Sequence, residues 1–276
     1  AHFGEEPPIS GSNGSGTVFF SGCAMQCVFC QNYQISCFHM GQEMTCEKVV
    51  DRLEALYRTQ AIHNVNFVTP DHFIPHTIEI VKQLRQRPLS LPILYNTSGY
   101  MKVETLRRLA DYADIYMPDY KYSSGDVAYE MSRCRDYPAV ALDAISEMVR
   151  QKGFLDSIMH SRETAERGVL VRHLVLPQQV ENSIDALSIL YTEFGAELPI
   201  SLMSQYWPAR MVRNAEMNRR LHSEEFYRVY EHAQSLGFQN MFVQHLPPGY
   251  DHSDDFRPDF AKEEPFKGNA KRIRTN

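Results

Sequence analysis

No run of about eighteen apolar residues occurs in the 276-residue chain, so the sequence offers no membrane span. Its amino terminus also lacks the basic stretch and apolar core of a secretory signal. Nor is there an excess of positive charge. Lys and Arg number 28 against 34 Asp and Glu, a net charge of -6, which weighs against a broad nucleic-acid surface. Cys37, Cys46 and Cys134 stand apart with no disulfide framework, which fits reduced thiols in the cytoplasm. A zinc ribbon would use two Cys-x2-Cys pairs, and no second pair exists here. A dinucleotide fingerprint is missing too, because Gly11, Gly14 and Gly16 precede a strand instead of following one, and they read as a flexible lead-in.

What the chain does have is Cys23, Cys27 and Cys30 in one short loop. Three thiolates spaced Cys-x3-Cys-x2-Cys can hold three corners of an iron-sulfur cube and leave the fourth iron open. An open iron is a place for a ligand, whereas a closed four-cysteine site mainly transfers electrons or supports the fold. A zinc site or plain structural thiols are the alternatives.

Around that loop, β-rich apolar runs alternate with helical patterns, the mark of parallel strands joined by crossover helices. Strands are predicted over 17–21, 65–69, 93–96, 115–117, 169–176 and 200–203. Helices follow near 46–59, capped by Thr45, and near 74–85, 103–112, 139–152, 183–194 and 223–236. A long irregular stretch separates the fourth strand from its helix. Six strand-helix units suit an α/β fold, a partial (β/α)6 TIM-like barrel over residues 17–246. A lead-in of residues 1–16 precedes it, and a charged tail over 247–276 reads as poorly ordered. Polar residues gather at the carboxyl ends of the strands, where such folds place their sites: Thr69 to His72, Asn96 to Gly99, Asp119 with Lys121, and Ser204 to Tyr206.

The cysteine motif, with Phe29 just before its last cysteine, resembles that of the radical S-adenosylmethionine (SAM) enzymes. The resemblance implies a [4Fe-4S] cluster on Cys23, Cys27 and Cys30 whose open iron chelates the amino and carboxylate groups of S-adenosyl-L-methionine. It further implies a radical SAM oxidoreductase in which one electron cleaves that cofactor to methionine and a 5'-deoxyadenosyl radical, which then takes a hydrogen atom from the substrate.

Asn-Thr-Ser-Gly-Tyr at 96–100, Asp-Ile-Tyr-Met-Pro-Asp-Tyr-Lys-Tyr at 114–122 and Leu-Val-Arg-His-Leu-Val-Leu-Pro at 170–177 look like strand-end motifs of the pyruvate formate-lyase activating enzymes. Residues 2–11 and Met-Ser-Gln-Tyr at 203–206 are similar to the PflX-like branch of their homologues. That likeness implies that Asp119 helps bind a cation near the cofactor, that Lys121 faces the cofactor carboxylate and that Arg172 meets cofactor or substrate. An ordinary ion pair is the plainer reading of Asp119 and Lys121. His173, alternating with Arg172, is expected in the core.

The remaining expected cofactor contacts are Phe29, Thr69, Asp71, Asn96, Ser98 and Tyr206. Three departures stand out. The family's Gly-Gly-Glu is replaced by Thr-Pro-Asp-His at 69–72, with backbone near Thr69, or Asp71 or His72, as its substitute. Asn96 replaces a cation-binding Asp, and Tyr206 stands near a cofactor-stacking histidine position, where its ring could stack on adenine.

The implied substrate is a glycine residue of a partner protein, a glycyl radical enzyme, with another peptide or a small molecule as the alternative. A flavodoxin- or ferredoxin-type protein is the implied reductant. A non-catalytic iron-sulfur electron-transfer or regulatory module is the reading from a different class. One cluster per chain is expected. The segment 205–220, with Trp207, Arg210, Arg213, Arg219 and Arg220, reads either as a lid or docking surface or as a solvated loop with a buried Trp.

Overall fold

The computed structural model of the chain describes residues 1–4, 6–160, 162–245, 258–262 and 265–266. After a short helix α1 (Pro7–Ser10), strands and helices alternate: β1 (Ser15–Phe19), α2 (Tyr33–Ser36), α3 (Cys46–Gln60), β2 (Asn64–Val68), α4 (Ile74–Leu84), β3 (Ile93–Thr97), α5 (Val103–Leu109) and β4 (Ile115–Pro118). The second half runs α6 (Gly125–Ser132), α7 (Tyr137–Lys152), α8 (Asp156–His160), β5 (Gly168–Val169), β6 (Val171–Leu174), α9 (Val180–Phe194), β7 (Ile200–Met203), α10 (Ser223–Leu236) and β8 (Met241–Val243). Among the described residues no helix is long and apolar enough to cross a membrane.

All the ladders are parallel, in the orders β1-β2-β3-β4-β5 and β6-β7-β8. The two sheets are one wall: Leu170 N donates to Tyr116 O at 3.1 Å, Tyr120 N donates to Arg172 O at 2.9 Å, and Asp119 bridges Arg172. The single strand expected over 169–176 is therefore broken at Leu170, where pairing passes from β4 to β7. No ladder joins β1 to β8 among the described residues, so the wall is a partial barrel, as expected, with β8 added beyond the six predicted strands.

Alternation divides each strand between two cores. Phe67, Tyr95, Tyr116, Val169 and Val171 face the helices. Leu94, Ile115, Met117 and Leu170 face the bore, and register puts Asn66 and Thr17 on the same side as Leu94. Local signals fix the helices. Thr45 Oγ1 accepts from Lys48 N at 3.3 Å to start α3, and Ala61 ends it in the left-handed region. Part of the stretch expected to be irregular forms α6, where the Ser124 side chain accepts from Asp126 N at 3.3 Å.

The reading of the lead-in as flexible is corrected. The segment enters the bore: Ile9 is fully buried among Leu94, Ile115, Met117 and Leu170, Asn64 Nδ2 donates to Ile9 O at 2.7 Å, and Ala165 N donates to Pro8 O at 2.8 Å. Burying Ile9 alone is worth about 1.5–3 kcal/mol, enough to hold so short a helix in place. A small part of the tail is described and packs near β1. Phe260 and Phe266 each lie 5.4 Å from the Phe19 ring, and Phe260 N donates to Gln34 Oε1 at 2.8 Å. The rest of 247–276 lies outside the described residues.

Candidate active site

β1 leads directly into the cysteine loop, which turns through Gly22 (φ 87°) and Gln26 (φ 52°). Gln26 braces it, its side-chain amide donating to Cys23 O at 2.7 Å and Ser36 O at 3.0 Å. Hydroxyls aim at the sulfurs. Ser132, delivered by the end of α6, donates to Cys27 Sγ at 2.9 Å and shares a 2.7 Å hydrogen bond with Tyr122, while Ser36 donates to Cys30 Sγ at 3.2 Å. Burial pushes all three thiols up, Cys30 to about 12, whereas Lys121 and Ser132 pull Cys27 down and Ser36 pulls Cys30 down.

Donors and a cation directed at sulfur suit thiolates bound to metal, because they stabilise the charged form that burial disfavours. The three cysteines feel one another electrostatically, yet among the described residues no group of ligands converges on a single ion. In a cube each thiolate binds a different iron, so the three sulfurs need not converge on one ion.

The strand ends of β2, β3 and β4 converge beside this loop. Thr69 takes a left-handed φ of 54°, strained for a β-branched residue by about 1–3 kcal/mol, and its N–H donates to Asn96 O at 2.9 Å. Asp71 Oδ2 accepts from Ser98 N at 3.2 Å and Ser98 Oγ at 2.8 Å. Its other oxygen, Oδ1, is buried without a hydrogen bond, and burial lifts the carboxyl to about 6 against the pull of Ser98.

Asp119 and Lys121 form a short, half-buried ion pair. Burial alone would lower the Lys121 ammonium, but Asp119, Cys27 and Cys30 outweigh it and hold the group above its ordinary value. Tyr137 ties the strand ends together: its hydroxyl accepts from Lys121 N at 3.0 Å and reaches Ser98 O at 2.9 Å and Asp119 O at 2.8 Å. Gly99 (φ 78°) has to be glycine, since a Cβ there would collide with the Asp119 carbonyl.

Cys23, Cys27 and Cys30, Thr69, Asp71, Asn96, Ser98, Asp119 and Lys121 thus share one end of the barrel. Phe29 and Tyr206 are also adjacent, with ring centroids 6.2 Å apart, but Tyr206 is buried and its hydroxyl donates to Met217 O at 2.6 Å. Arg172 is buried and pairs with the buried Glu6 of the lead-in, Nε to Oε1 at 3.1 Å. His173 is a core histidine, as expected: Nδ1–H donates to Tyr120 O at 2.6 Å and burial holds the ring down at about 4.

Glu6, Ser36, Ser132 and Tyr137 escaped the sequence reading. For Glu6 a signal existed, since a carboxylate beside two prolines and ahead of the buried Ile9 is a candidate for pairing with a strand arginine. For the others no local pattern marks the role.

Three comparisons bear on the chain. The family model described as the Radical SAM superfamily matches residues 17–187. An uncharacterized protein of Methanocaldococcus jannaschii, MJ0674, is 25% identical over 247 residues, which span 87% of this chain and 67% of that protein. Among solved structures, the FeFe-hydrogenase maturase HydG from Carboxydothermus hydrogenoformans aligns with a TM-score of 0.54 at 13% identity, covering 92% of this chain and 63% of HydG. SuiB of Streptococcus suis bound to S-adenosylmethionine aligns with a TM-score of 0.50 at 11% identity, covering 84% of this chain and 50% of SuiB. The chain thus spans about half the length of SuiB and somewhat under two thirds of HydG, and at these identities both alignments speak for the fold.

Proposed function

The chain belongs to the radical SAM superfamily, and from that premise we propose that it is an activating-type enzyme that takes a hydrogen atom from a glycine residue of a partner protein. The cofactors of the superfamily, a [4Fe-4S] cluster and S-adenosylmethionine, are the cofactors of this chain. When bound, they supply a 5'-deoxyadenosyl radical by one-electron cleavage of the sulfonium.

The residues present fit that pair. Cys23, Cys27 and Cys30 are the ligands for three irons, with Ser132 and Ser36 donating to the sulfurs. The observation that carries the reading is a charge pattern beside them. Asp71 offers a buried carboxylate oxygen with no hydrogen bond, and Lys121 a half-buried ammonium two residues beyond Asp119. An orphaned carboxylate oxygen and an ammonium complement the amino and carboxylate groups of an α-amino acid, so Asp71 takes over the work of the missing Gly-Gly-Glu and Lys121 holds the carboxylate. Thr69, Asn96 and Ser98 position these groups through the strand ends, and Phe29 and Tyr206 supply apolar surface beside the loop.

The substrate reading rests on the strand-end motifs that resemble the activating enzymes and the PflX-like branch. Tyr137 and Ser98 support it by holding two of those motifs together. A cytoplasmic setting and a flavodoxin- or ferredoxin-type electron donor complete the proposal.

The test is anaerobic. Cluster-loaded protein is reduced with S-adenosylmethionine and a candidate partner carrying deuterated glycine. Deuterium in 5'-deoxyadenosine, together with a glycyl radical signal, is the expected result. Formation of 5'-deoxyadenosine with no deuterium from any glycine of the partner rejects glycyl activation while keeping the cleavage chemistry. A Cys27→Ala variant must abolish both.

A further inference from the structure

Arg210 lies 182 residues from the cysteine loop in sequence, in the connection between β7 and α10, yet it grips that loop. Its Nε donates to Val28 O at 3.0 Å and its Nη2 reaches Cys27 O at 3.3 Å, two consecutive carbonyls at the middle cysteine. Among the described residues no carboxylate forms an ion pair with it, in contrast to Arg219, which is held by Glu216 at 2.8 Å and Glu225 at 2.7 Å.

The connection that presents Arg210 is braced. Tyr206 donates to Met217 O at 2.6 Å. The Asn218 side chain accepts from Val212 N at 2.7 Å and donates to Val212 O at 2.8 Å, and Arg220 lies 4.3 Å from the Trp207 ring. The loop's other side is fixed by Val28 N donating to Met131 O at 2.9 Å and by Ser132 on Cys27.

We infer that Arg210 is a positioning residue for the cluster: its two-carbonyl grip sets the path of the cysteine loop, and its charge makes the bound cluster easier to reduce. The physical argument has two parts. A planar guanidinium spans two neighbouring carbonyls, which an ammonium cannot do with the same fixed geometry. A permanent cation beside a redox centre stabilises the form carrying the extra electron, and net charge around an iron-sulfur cluster is one of the quantities that set its potential. Lys121 supplies charge from the barrel side, and Arg210 supplies it from the backbone side of the loop. The inference rests on the family's cluster and is independent of the glycyl-radical reading.

Two measurements test it on the full chain. The midpoint potential of the reconstituted cluster is titrated under EPR detection in wild type, Arg210→Lys and Arg210→Gln. Hydrogen exchange of the 24–32 backbone is followed in the metal-free proteins. Arg210→Gln is expected to disfavour reduction about tenfold, a fall of about 59 mV for a one-electron couple. Arg210→Lys is expected to stay near the wild-type potential while its loop exchanges faster. An unchanged midpoint in Arg210→Gln overturns the inference. If a variant does not hold the cluster, wild-type exchange in its metal-free loop overturns it equally, and accelerated exchange supports the grip.

Discussion

The pairing of Glu6 with Arg172 makes a quantitative prediction about the amino-terminal segment. Both side chains are buried, with Nε and Oε1 3.1 Å apart, and the carboxylate arrives on a segment that also buries Ile9 in the bore. Two unit charges at that distance attract by about 5 kcal/mol at an effective dielectric of 20, before the cost of taking them out of water. Glu6→Gln keeps the shape and removes the charge, so the buried guanidinium loses the Glu6 carboxylate while its desolvation cost stays. Breaking a buried pair in this way costs about 3–5 kcal/mol. For a chain of this size that corresponds to roughly 10 °C in Tm. The assay is anaerobic chemical denaturation of the metal-free protein, run as a double-mutant cycle with Arg172→Met. The double variant is expected to recover most of the loss, giving a coupling of at least about 2 kcal/mol. A Glu6→Gln protein within about 0.5 kcal/mol of wild type, or two single effects that simply add, would refute the claim that this ion pair anchors the lead-in.

Three further outcomes follow from the same geometry. His173 is held at about 4 against an ordinary 6.5, so the unfolded chain takes up the proton first; its contribution to stability is full above 6.5 and lost as pH falls towards 4. The loss amounts to about 3 kcal/mol in full, of which about 2 kcal/mol falls between pH 7 and pH 4.5, and is read by comparing denaturation at those two pH values with a His173→Gln variant. Asp71→Asn is expected to weaken S-adenosylmethionine binding at least tenfold by calorimetry while leaving stability at pH 7 unchanged or raised, because a charge whose burial is costly disappears. Gly99→Ala is expected to destabilise by more than about 1 kcal/mol, since φ is 78° and the new methyl meets the Asp119 carbonyl; a neutral result in a urea melt would contradict the close approach.

Most of the barrel was legible because its information is local. Period-two apolar runs and capped helical stripes survive in isolation, and α10, begun at Ser223 and ended at Gly237 with a left-handed φ of 91°, falls where the pattern puts it. The misses are places where distant contacts decide. Residues 125–132 look irregular because Gly125 opens the helix, yet Ala128 and Met131 are buried against the core and make α6 stable. β8 is three residues long and gains its identity from pairing with β7. The lead-in reads as flexible from its glycines, while the decisive facts are the bore that receives Ile9 and the arginine that receives Glu6.

The site divides along the same line. Cysteine spacing and strand-end polar residues sit at fixed offsets from their elements, so Asp71, Ser98, Asp119 and Lys121 could be placed together before any contact was known. Arg172 was readable as a charge needing an anion, since a buried guanidinium in an apolar strand is costly alone; which anion it meets depends on how a segment some 160 residues earlier folds back. Tyr137 is harder still. A tyrosine at the start of a helix is ordinary, and only the approach of the Ser98 and Asp119 carbonyls makes its hydroxyl a tie between two strand ends. Residues that touch the chemistry are constrained by residue type and spacing, and so leave a sequence pattern. Residues that hold those groups in place need only the right shape at the right point of a finished fold.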